Sequence, residues 1–379
     1  MNSKKKAIRI CHMTSVHPST DIRIFFKECQ SLSKAGYNVS LIAPEEESKK
    51  KGRIKIIGFH TSQRGRLFRM TVDVWKVLQA SLKEDADIYH FHDPELIPAG
   101  LLLRTLRKKV IYDIHENNPL NIQSRYWLPP WMRKPISLLF KIFENFSARF
   151  FNYLVPAEPP IAEKFESINK NTVTVQNFAF WDEFSISENV IPWENRLNAV
   201  IYSGGIDFYY CIREMVEAIE LVQQKFDALL VLAGRFPDES YKRKIKNLPG
   251  WKNVEYKGYL SREKLGKLFS TVKAGLVLMY PEPRIQVSYP TKLFEYMSAS
   301  IPVVVSDFPL WREIVEGAGC GLMVNPLDPQ AIADSIVYLL KHPEEAEEMG
   351  RKGRKAVEEH YNWSTEEKKL LRLYENLIK

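Results

Sequence analysis

Short apolar runs alternate with stretches of helical period along the whole chain. Ala7 to Met13, Asn38 to Ala43, Ile54 to Phe59, Ile88 to Phe91 and Val110 to Ile114 read as strands. From about Asp21 the residues Ile22, Phe25, Cys29 and Leu32 fall on one helical stripe, and Gly36 is the kind of residue that ends such a helix. A second series opens at Ala199 to Tyr202. It continues through Leu229 to Ala233, Val254 to Tyr256, Ala274 to Leu278, Pro302 to Val305 and Gly321 to Val324. Ile212, Met215, Val216, Ile219 and Val222 mark the helix after its first strand. Alternation of this kind predicts an α/β chain with two doubly wound, Rossmann-like parallel sheets, each covered by helices on both faces. Phe178 to Arg196 has no period and holds Pro192, so it is expected to link a domain over 1–180 to one over 197–363. Amphipathic helices run onward from Pro329. Two such domains are expected to face a central cleft. Ligands bind at the carboxyl ends of parallel strands, so function is expected on the loops next to those ends.

Composition narrows the partners. The 379 residues are 45% apolar and 26% charged, an ordinary globular balance. No stretch has the ~18 uncharged apolar residues of a spanning helix. The start, Met1 to Arg9, is basic, but the apolar run after it is too short and too polar for a signal peptide. Cys11, Cys29, Cys211 and Cys320 have no paired spacing, which argues against disulfides or zinc and for the cytoplasm. Residues 1–190 hold 28 Lys and Arg against 20 Asp and Glu, whereas 191–379 hold 26 of each. A basic N-terminal half implies an anionic partner: a membrane surface or a phosphorylated substrate. Nucleic acid ranks last, because no recognised module for it is present.

The loop after the first strand runs from Thr14 to Arg23 without a glycine, so it is not a dinucleotide fingerprint. Thr20 or Asp21 can cap the helix, which leaves His17 and Arg23 for an anionic ligand at a helix start. The next strand ends carry His92-Asp93 and His115-Glu116. A lone histidine is usually structural; two beside carboxylates at one sheet edge favour a site. Metal is the rival, set below because the spacing matches no common zinc pattern. In the second half, Tyr289-Pro290-Thr291-Lys292-Leu293-Phe294-Glu295 opens a helix. Free backbone N–H groups and Lys292 in its first turn suit a diphosphate, and Glu295, a turn later on the same side, can accept both hydroxyls of a ribose. A charged helix start is the plain alternative, although lysine is unfavourable there.

These segments, with Tyr202-Ser203-Gly204-Gly205, Pro302-Val303-Val304 and Tyr361-Asn362-Trp363, resemble the retaining glycosyltransferases of family four (glycosyltransferase group 1) over nearly the whole chain. The resemblance implies the GT-B fold and transfer of a sugar, with retention, from a nucleotide-diphosphate-sugar. It implies no cofactor and no metal, the donor itself being a substrate. The donor side would comprise Gly204, Gly205, Arg235, Tyr289, Pro290, Thr291, Lys292 and Glu295, with His115 catalytic near the sugar. His17, Asp21, Arg23, His92, Asp93 and Glu116 would line the acceptor or cleft side. The last helix, 364–379, would cross back to the N-terminal domain. A lipid-linked or cell-surface glycan acceptor is expected, with the protein peripheral at the inner face of the cell membrane. A nucleotide-sugar epimerase and a non-catalytic binding subunit are the alternatives.

Two departures stand out. Val287 occupies the place of the first acid of the family's paired-glutamate motif, and Tyr210 stands where a basic residue is expected, with Arg213, Arg235 and Arg284 as substitutes. In Trp131 to Phe151, Leu139, Phe143, Phe146 and Phe150 share one helical face, and Lys134, Lys141 and Arg149 lie roughly opposite. A core helix is the common reading; a helix lying at a membrane surface is the other.

Overall fold

The computed structural model describes residues 8–61, 69–125, 127–180, 184 and 191–379. Residues 181–183 and 185–190 of the expected linker, and residues 1–7 of the basic start, lie outside them. The chain forms two compact units, one of residues up to Asn177 with Trp363–Lys379, the other of Phe178–Asn362. Phe178 is part of the second unit and not of a linker: its buried ring packs edge-on against Phe294 and Tyr361.

The first unit carries β1 (Arg9–Met13), β2 (Asn38–Pro44), β3 (Lys49–Lys51), β4 (Ile54–Phe59), β5 (Ile88–Phe91), β6 (Lys109–Ile114) and β7 (Tyr153–Pro156) in the order β3-β4-β2-β1-β5-β6-β7. All pairs are parallel except β3 with β4. The two strands unforeseen from sequence are the edges. Lys49–Lys51 is exposed along its length and has no apolar residue to signal it. Tyr153–Pro156 is four residues long and ends in a proline, which masks it as a strand. The helix Trp363–Ile378 belongs to this unit, with Trp363, Leu370, Leu373 and Tyr374 buried.

The second unit carries β8 (Ala199–Ser203), β9 (Leu229–Ala233), β10 (Val254–Gly258), β11 (Ala274–Val277), β12 (Val303–Ser306) and β13 (Gly321–Val324). Their order is β10-β9-β8-β11-β12-β13, all parallel. Apolar clusters cover both faces, Met215, Val216 and Ile219 on one and Phe269, Leu293 and Trp311 on the other. In each sheet the first strand is central and the order reverses about it: β1 lies between β2 and β5, β8 between β9 and β11. Crevices at such reversals are where doubly wound sheets take ligands. The loops after β1 and β8 therefore mark one site in each unit.

Candidate functional site

In the first unit the helix Ile22–Cys29 starts at Asp21, whose carboxylate accepts from the backbone N–H of Ile24 at 2.9 Å. Its turns are of the wide π type, so Arg23, Ile24, Phe25, Lys27, Glu28 and Cys29 are all buried while Ile22 is exposed. The sequence stripe placed Ile22 inside. Wider winding rotates charged residues inward instead, and such turns recur at functional sites.

Arg23 is not available to a ligand. It is buried and grips Asp113 through Nε (3.0 Å) and Nη2 (2.8 Å), and its Nη1 donates to the carbonyl of Val175 at 2.7 Å. Burial opposes both charges, but each raises the other's preference for its ionised form, so the pair stays charged. His92 and Asp93 are likewise buried. The carboxylate of Asp93 accepts from Thr14 Oγ1 at 2.7 Å and from the Ser15 backbone at 2.6 Å, which fixes the loop after β1. These three residues position the site from beneath.

His17 and His115 are at its surface. His17 lies 3.4 Å from Asp21 and 3.3 Å from Asp93, and its side chain is 33% exposed. Hydrogen bonds to Asp21, then Asp93, push it up to about 10. Burial works against both carboxylates, yet the His17 contact holds each at about 2. This loop thus keeps a protonated imidazole at neutral pH. His115 comes directly after β6, 19% exposed, its Nε2 3.4 Å from Asp113 and 3.2 Å from His92 Nδ1. Its ring centroid is 5.3 Å from that of His17. Glu116 is exposed and accepts from Asn121.

Beneath these lies a group that sequence reasoning missed. His12, His90 and His92 converge on Glu28, all four fully or almost fully buried, and this set could hold a metal ion. His92, Asp113 and His115 form a second such set. Burial keeps His12 and His90 well below the usual histidine range, so both rings are neutral. Burial, reinforced by the charge on Asp113, keeps Glu28 well above the usual carboxylate range. The residues come from β1, from β5 and the loop directly after it, and from a helix, too scattered for a spacing motif.

In the second unit the site is a turn of glycines over a lysine. Gly204 has φ +139°, a conformation that side chains avoid, and a Cβ at Gly234 would stand 1.8 Å from its carbonyl oxygen. Tyr202 Oη donates to the Gly205 carbonyl at 2.6 Å, which tightens the turn. Lys292, second in the helix Thr291–Ser298, is buried and donates to Tyr202 Oη at 3.1 Å. Its ammonium lies over the rings of Tyr202 and Tyr210, 4.4 Å and 4.3 Å from their centroids. Tyr210, the departure from the expected basic residue, thus supports Lys292. Burial lowers Lys292 to about 8, against the pull of Glu295 and Asp207. Glu295 is 13% exposed and accepts from Arg262 Nη1 at 3.1 Å, a partner from another helix that sequence spacing could not reveal.

Thr291 is exposed, Tyr289 half-buried and Pro290 buried just ahead of the helix. Arg235 is exposed against the ring of Tyr259, 4.5 Å from its centroid. Of the basic substitutes, Arg213 is paired to Glu217 at 2.7 Å on an exposed helix face, whereas Arg284 lies over Tyr209. Val287 comes after the helix Pro283–Gln286 and contributes no carboxylate.

Two parallel-sheet units with sites after their central strands define the GT-B class of glycosyltransferases. The family described as glycosyltransferase family 4 matches residues 24–177, and that described as glycosyl transferases group 1 matches 185–356. The chain belongs to this family, and it is a glycosyltransferase. It is 24% identical over 301 residues to the phosphatidyl-myo-inositol mannosyltransferase of Mycobacterium leprae, covering 77% of this chain and 74% of that one. The sucrose-phosphate synthase of Thermosynechococcus elongatus has the same fold, with a TM-score of 0.76 at 19% identity over 98% of this chain and 99% of its own. The Anabaena protein HepE, solved with UDP and glucose, superposes with a TM-score of 0.72 at 14% identity, over 97% and 100% of the two chains.

Proposed function

We propose that the protein moves a hexose, with retention, from a nucleotide-diphosphate-sugar to a lipid-linked or cell-surface glycan acceptor, as a step of polysaccharide biosynthesis. It does so without a cofactor or a bridging metal, in the cytoplasm at the inner face of the cell membrane. The observation that carries the donor half is Lys292. A buried ammonium beneath a glycine turn, with no carboxylate partner among the described residues, is a poor structural choice and a good diphosphate site. The N–H groups of its helix start add to it. Glu295, one turn on, takes the ribose hydroxyls, and positive groups in place of a metal stabilise the leaving diphosphate. The UDP held by the Anabaena neighbour supports a nucleotide here. We assign His115 to the reacting sugar, because it is the solvent-facing end of the imidazole series His90, His92 and His115 at the ends of β5 and β6.

The acceptor half rests on the helix Pro130–Ala148, which is inside out. Its polar residues Ser137, Glu144 and Ser147 are buried, Glu144 accepting from Lys164, Asn118 and Tyr112 at 2.7, 2.9 and 3.1 Å. Trp131, Leu139, Ile142 and Phe146 are each more than half exposed. Beside them a pocket of about 330 Å³ is lined by Lys134, Lys141, Lys164, Leu120 and Leu138. Apolar side chains flanked by lysines suit an anionic lipid surface and a phosphorylated lipid acceptor. The mycobacterial relative is named for a lipid acceptor, which supports this. Among the described residues no helix is long and apolar enough to cross a membrane.

Calorimetry with the nucleoside diphosphate alone tests the donor half. Loss of a charge-assisted hydrogen bond of ~1.5–3 kcal/mol should make Glu295→Ala bind about 10- to 100-fold more weakly. Unchanged affinity would remove the nucleotide from this site. Val287, in place of an acid, favours one second reading, a subunit that binds the donor without turning it over. Nucleotide binding with no product from any acceptor would select it.

A further inference from the structure

The second unit's site uses its buried lysine; the first unit contains a buried carboxyl group to which the proposed transfer gives no part. Glu28 is fully buried, and neither carboxylate oxygen has a hydrogen-bond partner. Its Oε2 stands 3.8 Å from His12 Nδ1, 3.9 Å from His90 Nδ1 and 4.0 Å from His92 Nε2. Those distances are too long for hydrogen bonds and nearly equal, as for atoms arranged about a common centre. His12 Nδ1 and His92 Nε2 are 2.9 Å apart. With zinc bonds of ~2.0–2.1 Å, the corners of a tetrahedral site are about 3.3 Å apart. The oxygen-to-nitrogen edges here are somewhat longer and the nitrogen-to-nitrogen edge somewhat shorter. All four ligand atoms lie within 4.8 Å of one another, so side-chain adjustment without a backbone change would bring them onto one ion.

The surroundings also suit a metal. A ligating histidine usually gives its other N–H to a carboxylate, a carbonyl or a hydroxyl. His92 Nδ1 lies 3.2 Å from Asp113 Oδ2, and His90 Nε2, itself without a partner, 3.7 Å from the same oxygen. Tyr374 Oη lies 2.8 Å from His90 Nδ1 and 3.4 Å from His12 Nε2, so an ion taking His90 Nδ1 would displace that hydroxyl toward His12 Nε2. The free Glu28 oxygen, Oε1, is 3.1 Å from Arg23 Nε, ready to accept from it once Oε2 ligates. The second histidine–carboxylate set is less suited, since Arg23 already grips Asp113.

We propose that His12, His90, His92 and Glu28 hold a buried divalent transition-metal ion, zinc by the chemistry of the set. Three imidazoles and one carboxylate make a complete four-coordinate shell with no position open to solvent, the pattern of a structural site. The ion would tie β1 and β5 to the helix Ile22–Cys29 directly beneath His115. It would not meet the sugar nucleotide, so it stands apart from metal-free transfer, and calorimetry with nucleotide reads that function independently.

The test uses the full chain without a histidine tag, produced in zinc-supplemented medium. Elemental analysis should find about one zinc per chain. The ion should survive a chelator in native buffer, because the site is closed, and be released to a chromogenic chelator on unfolding. Glu28→Gln and His90→Gln should cut the zinc content several-fold. Should those variants fail to fold, the wild-type chain refolded with Co²⁺ should show the visible bands of tetrahedral cobalt. Protein that carries no stoichiometric metal from zinc-rich medium, and shows no cobalt band after refolding, overturns the proposal and leaves a metal-free hydrogen-bonded cluster.

Discussion

Beneath its strand ends the first unit is crowded with charge that is already matched. Arg23 holds Asp113, His17 bridges Asp21 and Asp93, and Lys164 holds Glu144. Beneath the strand ends of the second unit the ammonium of Lys292 lies against phenol groups and a glycine turn, with no carboxylate paired to it among the described residues, and the nearby Glu295 is engaged with Arg262. At those strand ends matched charge is rigid and nearly neutral in sum, so there it aims His17 and His115, and the proposed anion-binding lysines of this unit lie apart from it, around the helix Pro130–Ala148. Unmatched buried charge costs the free protein stability and is compensated when an anion arrives. The same kind of sheet edge thus positions side chains in one half and holds an unmatched charge in the other.

The contrast should break most visibly at Arg23. Removing one member of a buried pair leaves the other uncompensated, at ~3–5 kcal/mol. Arg23→Ala should therefore lower unfolding free energy by about that amount in denaturant titrations, whereas Lys292→Met should leave stability unchanged or improved. Equal losses in both variants would erase the distinction. His115→Ala comes next. It should reduce turnover about 100- to 1,000-fold, the size of one preorganised polar group at a reacting centre, with little change in melting temperature.

The pH dependence sharpens the picture further. Lys292 keeps its proton only below about 8, so affinity for a nucleoside diphosphate should fall roughly tenfold per pH unit above that, and Lys292→Met should flatten the profile. In the ligand-free protein the unfolded chain holds that proton up to 10.5, so this group adds stability as pH rises from about 8 toward 10.5. His17 behaves oppositely. Raised to about 10, its contribution is complete below 6.5 and lost as pH climbs through 10. The smallest effect is at the membrane. Each of Lys134, Lys141 and Arg149 should add ~1 kcal/mol to binding of anionic vesicles, and co-sedimentation should fade as salt rises. No binding at low salt would leave the exposed helix without a lipid role.

The sheets were legible because parallel strands buried on both faces are continuous apolar runs, and most of them were read close to their observed limits. The three-residue separation of Lys292 and Glu295 was legible too, since helix geometry turns it into proximity. Periodicity divides a helix into faces but does not say which is inside. For Pro130–Ala148 that is decided by Glu144, whose partners Tyr112, Asn118 and Lys164 lie elsewhere in the chain. The stripe of Ile22, Phe25, Cys29 and Leu32 failed at Ile22 alone for a related reason, because π winding changes the period itself. Arg262 and Glu28 carry no local signal, and only the folded chain brings them to Glu295 and the imidazoles.

The helix Trp363–Ile378 sets the order in which this protein can be made. Tyr374 Oη bonds His90 Nδ1 at 2.8 Å across 284 positions of sequence, and Glu366 accepts from the backbone of Gln176 across 190. The first unit therefore cannot complete itself during synthesis until those residues emerge, long after its own strands. The second unit, continuous from Phe178 to Asn362, is free to fold in the meantime. The half that begins the chain is the half that finishes last.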